Sequence, residues 1–88
     1  MEIIYALSFK LSELLKMNDA QAIGLFALAI KDGKKNIGAL SYEDCREVIQ
    51  VHLKARLDKL HTAKSDEVVA QLLKLLATKQ SLFVMMAR

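Results

Sequence analysis

Proline and tryptophan are absent from the 88 residues, and glycine occurs only at Gly24, Gly33 and Gly38. Without proline no helix is broken from within, and with three glycines there are few places made for a left-handed backbone. Cysteine occurs once, at Cys45, which excludes an intrachain disulfide and fits a reducing compartment. Charge of one sign is nowhere concentrated. Thirteen basic and ten acidic residues are interspersed, and the longest basic run is the pair Lys34-Lys35, so no polybasic arm is present. No apolar run approaches the roughly 20 residues of a membrane span. The chain opens Met-Glu-Ile-Ile, with an acidic residue where a secretion signal carries basic ones, and neither end shows a lipidation motif. A cytoplasmic protein without membrane association is expected.

What the chain has in excess is apolar surface. Its apolar fraction is 53%, against about 45–50% for a typical soluble chain even with glycine counted. Eighty-eight residues make one domain, residues 1–88, and a domain of this size buries only about 60% of its unfolded surface. The excess therefore has little interior to occupy. It is densest from Ala22 to Ile30, nine consecutive residues without a polar side chain. A helix apolar on every side is enclosed by protein. In so short a chain that enclosure calls for a second copy or a partner.

Apolar spacing is helical throughout and predicts four helices. The first runs from Glu2 to Lys16, with Ile4, Leu7, Leu11 and Leu15 as its stripe, widened by Ile3 and Leu14. A strand over Glu2 to Phe9 is the alternative for its start, but the polar alternation of a half-buried strand is missing. Asn18 reads as an N-cap with Gln21 completing a capping box. The second helix runs from Asp19 to Asp32, and Gly33 is expected to supply a left-handed residue after its end. Ala20 and Gly24 lie one turn apart, so another helix is expected to approach closely there. Ser41 caps a third helix, Tyr42 to Thr62, with Tyr42, Cys45, Ile49, Leu53, Leu57 and Leu60 as its stripe and Val48 and Val51 flanking it. Ser65 is expected to cap the fourth, whose apolar surface runs from Val68 through Leu76 to Leu82, Phe83 and Met86, with a polar interval at Thr78 to Ser81. The expected architecture is an all-α, compact four-helix bundle-like domain. The apolar second helix is central, and the third and fourth helices form a long antiparallel pair.

Catalytic and metal chemistry find little purchase. His52 and His61 are nine residues apart, two and a half turns, and point in opposite directions. Cys45 and His52 share a face but stand about 10 Å apart along the axis, too far for a thiolate–imidazole pair. Asp58 and His61 form a single carboxylate-x-x-His pair, where di-metal bundles need two copies and further glutamates. The loop after Asp32 superficially matches a calcium loop, yet Ile30, Lys34 and Ser41 fall where oxygen ligands and the terminal glutamate belong. No enzyme, cofactor or metal site is expected.

Two binding classes remain. The first is a small cytoplasmic protein-interaction module, a regulator or adaptor, that self-associates as a homodimer through an apolar helical surface. Its expected contact residues are Leu82, Phe83, Met85 and Met86, with Ala20 and Gly24. The second is a nucleic-acid-binding transcriptional regulator, using Lys34 and Lys35 of the loop with Arg46, Gln50 and Lys54, which are spaced i, i+4, i+8. The stretch Leu11 to Lys31 has the outline of a helix-turn-helix. Its second helix, however, is almost wholly apolar where base reading needs polar side chains.

Overall fold

The computed structural model describes residues 2–60 and 64–80. Over these residues the chain is all-α, with four helices and no strand. Helix α1 spans Glu2–Leu15 and α2 spans Asp19–Asp32. Helix α3 is continuous over residues 42–59 and consists of Tyr42–Glu47, a π-helical stretch Val48–Leu53, and Lys54–Lys59. Helix α4 spans Ser65–Thr78 and packs along all three segments of α3 as well as on α1. A short 3-10 turn, Ile37–Ala39, interrupts the connection from α2 to α3.

The core takes one stripe from each helix. Ile3, Ile4, Leu7 and Leu11 come from α1, Ala22, Phe26, Ala29 and Ile30 from α2, Cys45, Val48, Ile49, Leu53 and Leu57 from α3, and Val68, Val69, Leu72 and Leu76 from α4. The stripe of α3 explains its π stretch. Cys45, Ile49, Leu53 and Leu57 are spaced by four throughout. An α-helix has 3.6 residues per turn, so four-residue steps drift by about 40° each and would carry Leu57 well around the helix from Cys45. A π turn bonds i to i+5 and is wider. It takes up the drift and returns Leu53 and Leu57 to the core side, where both are fully buried. The same widening turns Val51 outward to 54% exposure, and Leu60, just past the helix end, is 61% exposed. Leu60 was expected in the stripe and Val51 beside it.

Helix ends follow local chemistry. The Asn18 side chain accepts from the Gln21 N–H, and Gln21 Oε1 accepts from the Asn18 N–H, a reciprocal capping box. Ser41 and Asp44 make the same exchange at the start of α3. Helices α1 and α2 end alike. Met17 N–H donates to the Ser12 carbonyl at 3.1 Å, and Lys35 N–H donates to the Ile30 carbonyl at 3.1 Å. These are six-to-one bonds of the Schellman type. The left-handed residue they require is Lys16 in the first case (φ 54°) and Lys34 in the second (φ 56°). A side chain in that conformation costs roughly 1–2 kcal/mol.

Gly33 therefore does not hold the left-handed position expected of it; it is right-handed, with φ −80° and ψ 0°. Its reason for being glycine is steric. A Cβ on Gly33 would lie 2.8 Å from Cδ2 and 3.0 Å from Nε2 of His52, whose ring lies against the end of α2. Ser65 also departs from expectation. It is the first residue of α4 rather than its cap, and its hydroxyl donates to Asp58 Oδ1 at 2.6 Å.

Candidate interaction surfaces

Among the described residues, helix α2 is enclosed on one side only. Ala22, Phe26, Ala29 and Ile30 are buried, whereas Ala20, Gly24 and Leu28 are exposed, Leu28 to 46%. An added Cβ on Gly24 would meet nothing within 4 Å, so the close helix approach expected at Ala20 and Gly24 is not made within the described chain. The uncovered side forms a shallow hollow with the end of α3, lined by Met17, Gln21, Gly24, Leu25, Leu28 and Leu60. Five of these six are apolar or glycine. Leu82, Phe83, Met85 and Met86 lie outside the described residues.

The basic residues expected to contact nucleic acid are placed unevenly. Lys35 Nζ lies 3.1 Å from Glu47 and 3.4 Å from Asp44. Lys54 Nζ lies 3.1 Å from Asp58 and 3.4 Å from Asp66. These carboxylates hold both lysines above the usual lysine range, Glu47 contributing most to Lys35 and Asp58 to Lys54. Arg46 and Gln50 are exposed and line a polar hollow beside the start of α3, together with Lys35, Val51, Glu43, Asp44 and Glu47. Three carboxylates against two cations is poor ground for phosphate. Lys34 lies apart, in a separate hollow formed with Ala27, Ile30, Lys31, Lys35 and Ile37. The five residues are thus split between two hollows and an ion-pair cluster.

Sequence reasoning did not anticipate the polar contacts that tie the helices together. Arg56 grips Asp32 through two hydrogen bonds, Nε to Oδ2 at 2.5 Å and Nη2 to Oδ1 at 2.9 Å, joining α3 to the last residue of α2. The Arg56 guanidinium draws the Asp32 carboxyl below its ordinary range. The Ser65 hydroxyl, with Lys54, does the same to Asp58. The Ser41 backbone N–H, with that residue's hydroxyl and Lys35, lowers Asp44. His52 Nε2 lies 3.8 Å from Glu47. Arg56 and Asp32 are separated by 24 residues and Ser65 and Asp58 by a helix connection, and no local pattern signals these two pairs.

Cys45 is 1% exposed, and burial pushes its thiol up to about 11. A thiolate nucleophile needs the opposite environment. Among the described residues no three His, Cys, Asp or Glu side chains group to hold a metal, and no helix is long and apolar enough to cross a membrane. Comparison with protein-family models, with curated proteins and with solved structures finds no match to this chain.

Proposed function

We propose that the chain is a small protein-interaction module that self-associates through the uncovered side of α2. The observation that carries this reading is the hollow of Gly24, Leu25 and Leu28 on α2's outer side, extended by Met17 before that helix and by Leu60 just past the end of α3. Ala20 and Gly24 stand one turn apart on that side, both exposed. Side chains this small admit a second helix at an interaxial distance near the low end of about 8–10 Å. Leu28, half out of its own fold, supplies the apolar contact a partner would bury. The role is that of a regulator or adaptor. The reducing cytoplasm suits a chain whose lone thiol is buried and has no partner cysteine.

Light scattering on protein eluting from a sizing column, with absorbance read at 260 and 280 nm, tests the reading. The chain should elute at twice its 9.9 kDa mass. Leu28→Glu should halve that mass while leaving the helical circular dichroism unchanged. A wild-type monomer at tens of micromolar, or a Leu28→Glu dimer, overturns it. With no tryptophan and two tyrosines, the protein absorbs weakly, so bound nucleic acid would dominate the spectrum. Such a peak overturns the reading in favour of the exposed cations Lys34 and Arg46.

A further inference from the structure

We propose that the hollow where α2 runs into the following loop is a docking site for an acidic, aliphatic peptide segment of another protein. Its lining is Ala27, Ile30, Lys31, Lys34, Lys35 and Ile37. It shares no residue with the apolar hollow assigned above to self-association, so the two readings stand or fall separately.

The lining has two parts. Ala27, Ile30 and Ile37 make an aliphatic patch, and Ile37 holds it open to solvent at 48% exposure. Around the patch stand three lysines. Lys35 is taken up by Asp44 and Glu47. Lys31 and Lys34 are exposed and make no ion pair among the described residues. The complement is an aliphatic side chain flanked by carboxylates. Nucleic acid suits the hollow less well. No aromatic ring lines it for base stacking, and its aliphatic residues Ala27, Ile30 and Ile37 have no complement in a chain of phosphates.

The backbone of Lys34 is set by the Schellman end of α2. It is left-handed, at φ 56°, where glycine would fit without strain. Lys16 shares the conformation, at φ 54°, but lines none of these hollows. A lysine at a helix C-terminus has a plain role in offsetting the helix dipole. Lys16 stands for that role alone, and so serves as the internal control for Lys34.

The probe is an acetylated, amidated peptide of alternating Glu-Glu and Leu-Leu pairs, titrated into nitrogen-15-labelled protein. Parallel titrations use its glutamine counterpart and an oligothymidylate. The glutamate peptide should move the amides of Ala27, Lys31, Lys34 and Ile37. Lys34→Gly and Lys31→Gln should each weaken it about threefold, the range of one exposed ion pair. Lys34→Gly should also raise Tm by about 4–8 °C through relief of the backbone. Lys16→Gly should give the same rise with unchanged affinity. Higher stability with weaker binding at one residue is a combination that a purely structural lysine does not produce. The proposal is overturned if Lys34→Gly binds as wild type or if the glutamine peptide binds as well. It is also overturned if oligothymidylate binds more tightly at these amides, or if they shift with protein concentration alone, which would make a second copy the occupant. The mass measurement above reads self-association regardless of the result.

Discussion

The contact between Gly33 and the ring of His52 shows how one residue's identity can be settled by a residue 19 positions away. The helix-end pattern Asp-Gly-Lys-Lys suggests a glycine serving its own backbone. In the structure the neighbouring Lys34 takes the left-handed conformation, and Gly33 is needed because a Cβ would meet His52 Cδ2 at 2.8 Å. Gly33→Ala should therefore destabilise the fold, by less than the roughly 1–3 kcal/mol usual for overpacking a rigid core, because the atoms met belong to the ring of a partly exposed side chain that can give way. The substitution should become harmless once the ring is gone. A urea-denaturation cycle of Gly33→Ala, His52→Ala and the double variant measures this. The expected coupling makes the double variant no less stable than His52→Ala alone, and additive losses would show that the glycine serves the backbone after all. Ser65 teaches a related lesson. A serine before two acidic residues looks like a cap, yet its hydroxyl is spent on Asp58, a partner seven positions back that local pattern does not identify.

At the scale of elements, the π stretch of α3 behaves as one residue of slack. Relative to a regular helix it holds an extra residue between Val48 and Leu53, and its exposed positions include Gln50 and Val51. Deleting Gln50 should let the stretch relax to α geometry with Leu53 and Leu57 still facing the core, and Tm should stay within a few degrees of wild type. Deleting Ala55, exposed in the regular part of α3, should rotate Arg56, Leu57 and the turn into α4 by about 100° and abolish cooperative melting. Equal damage from both deletions would contradict this account.

The boundaries of α1 and α2, the capping box of α2, the Ser41 cap of α3 and nearly all core positions were legible in the sequence, because apolar spacing and cap chemistry act within a few residues. The π stretch was not legible. A run spaced by four reads as a slowly drifting α stripe, and only the demand that Cys45 and Leu57 meet one core reveals the widening. For the same reason Val51 was read as flanking the stripe. Of the surfaces, Ala20 and Gly24 were recognised from their size, whereas Leu28 and Leu60 gain meaning only when α2 and α3 are seen to leave them uncovered side by side.

For the whole molecule, the polar ties define its response to pH. Asp32, Asp44 and Asp58 are all held below the ordinary aspartate value of 3.8, through Arg56, the Ser41 backbone N–H and the Ser65 hydroxyl respectively. A carboxyl with a depressed folded-state value binds protons more readily when unfolded. Its contribution is complete above the unfolded value and is lost as pH falls through the folded one. Lys35 and Lys54 are raised above 10.5 by carboxylate partners, and their contribution is complete below that value and lost as pH rises through the folded one. Stability should thus form a plateau, with an acid fall beginning near pH 4 and an alkaline fall beginning near pH 9.0, where the Cys45 thiol ionises in the unfolded chain but is held to about 11 in the fold, and continuing above the lysine value of 10.5. Urea midpoints across that range measure the plateau. Asp32→Asn with Asp58→Asn should flatten the acid limb, and an unchanged limb would remove these two carboxylates from the account.

One consequence follows from how α2 is clothed. Apolar on nearly every side from Ala22 to Ile30, it would gain almost as much by burying one flank as another, so hydrophobicity alone does not specify its rotation about its own axis. That angle is fixed at the two ends. Ser12 donates to Asp19 at 2.8 Å at one end. At the other, Arg56 holds Asp32 and the His52 ring rests on Gly33. Polar and steric pins of modest energy thus act as the orienting key of the least polar helix, deciding which of its faces becomes interior and which stays exposed.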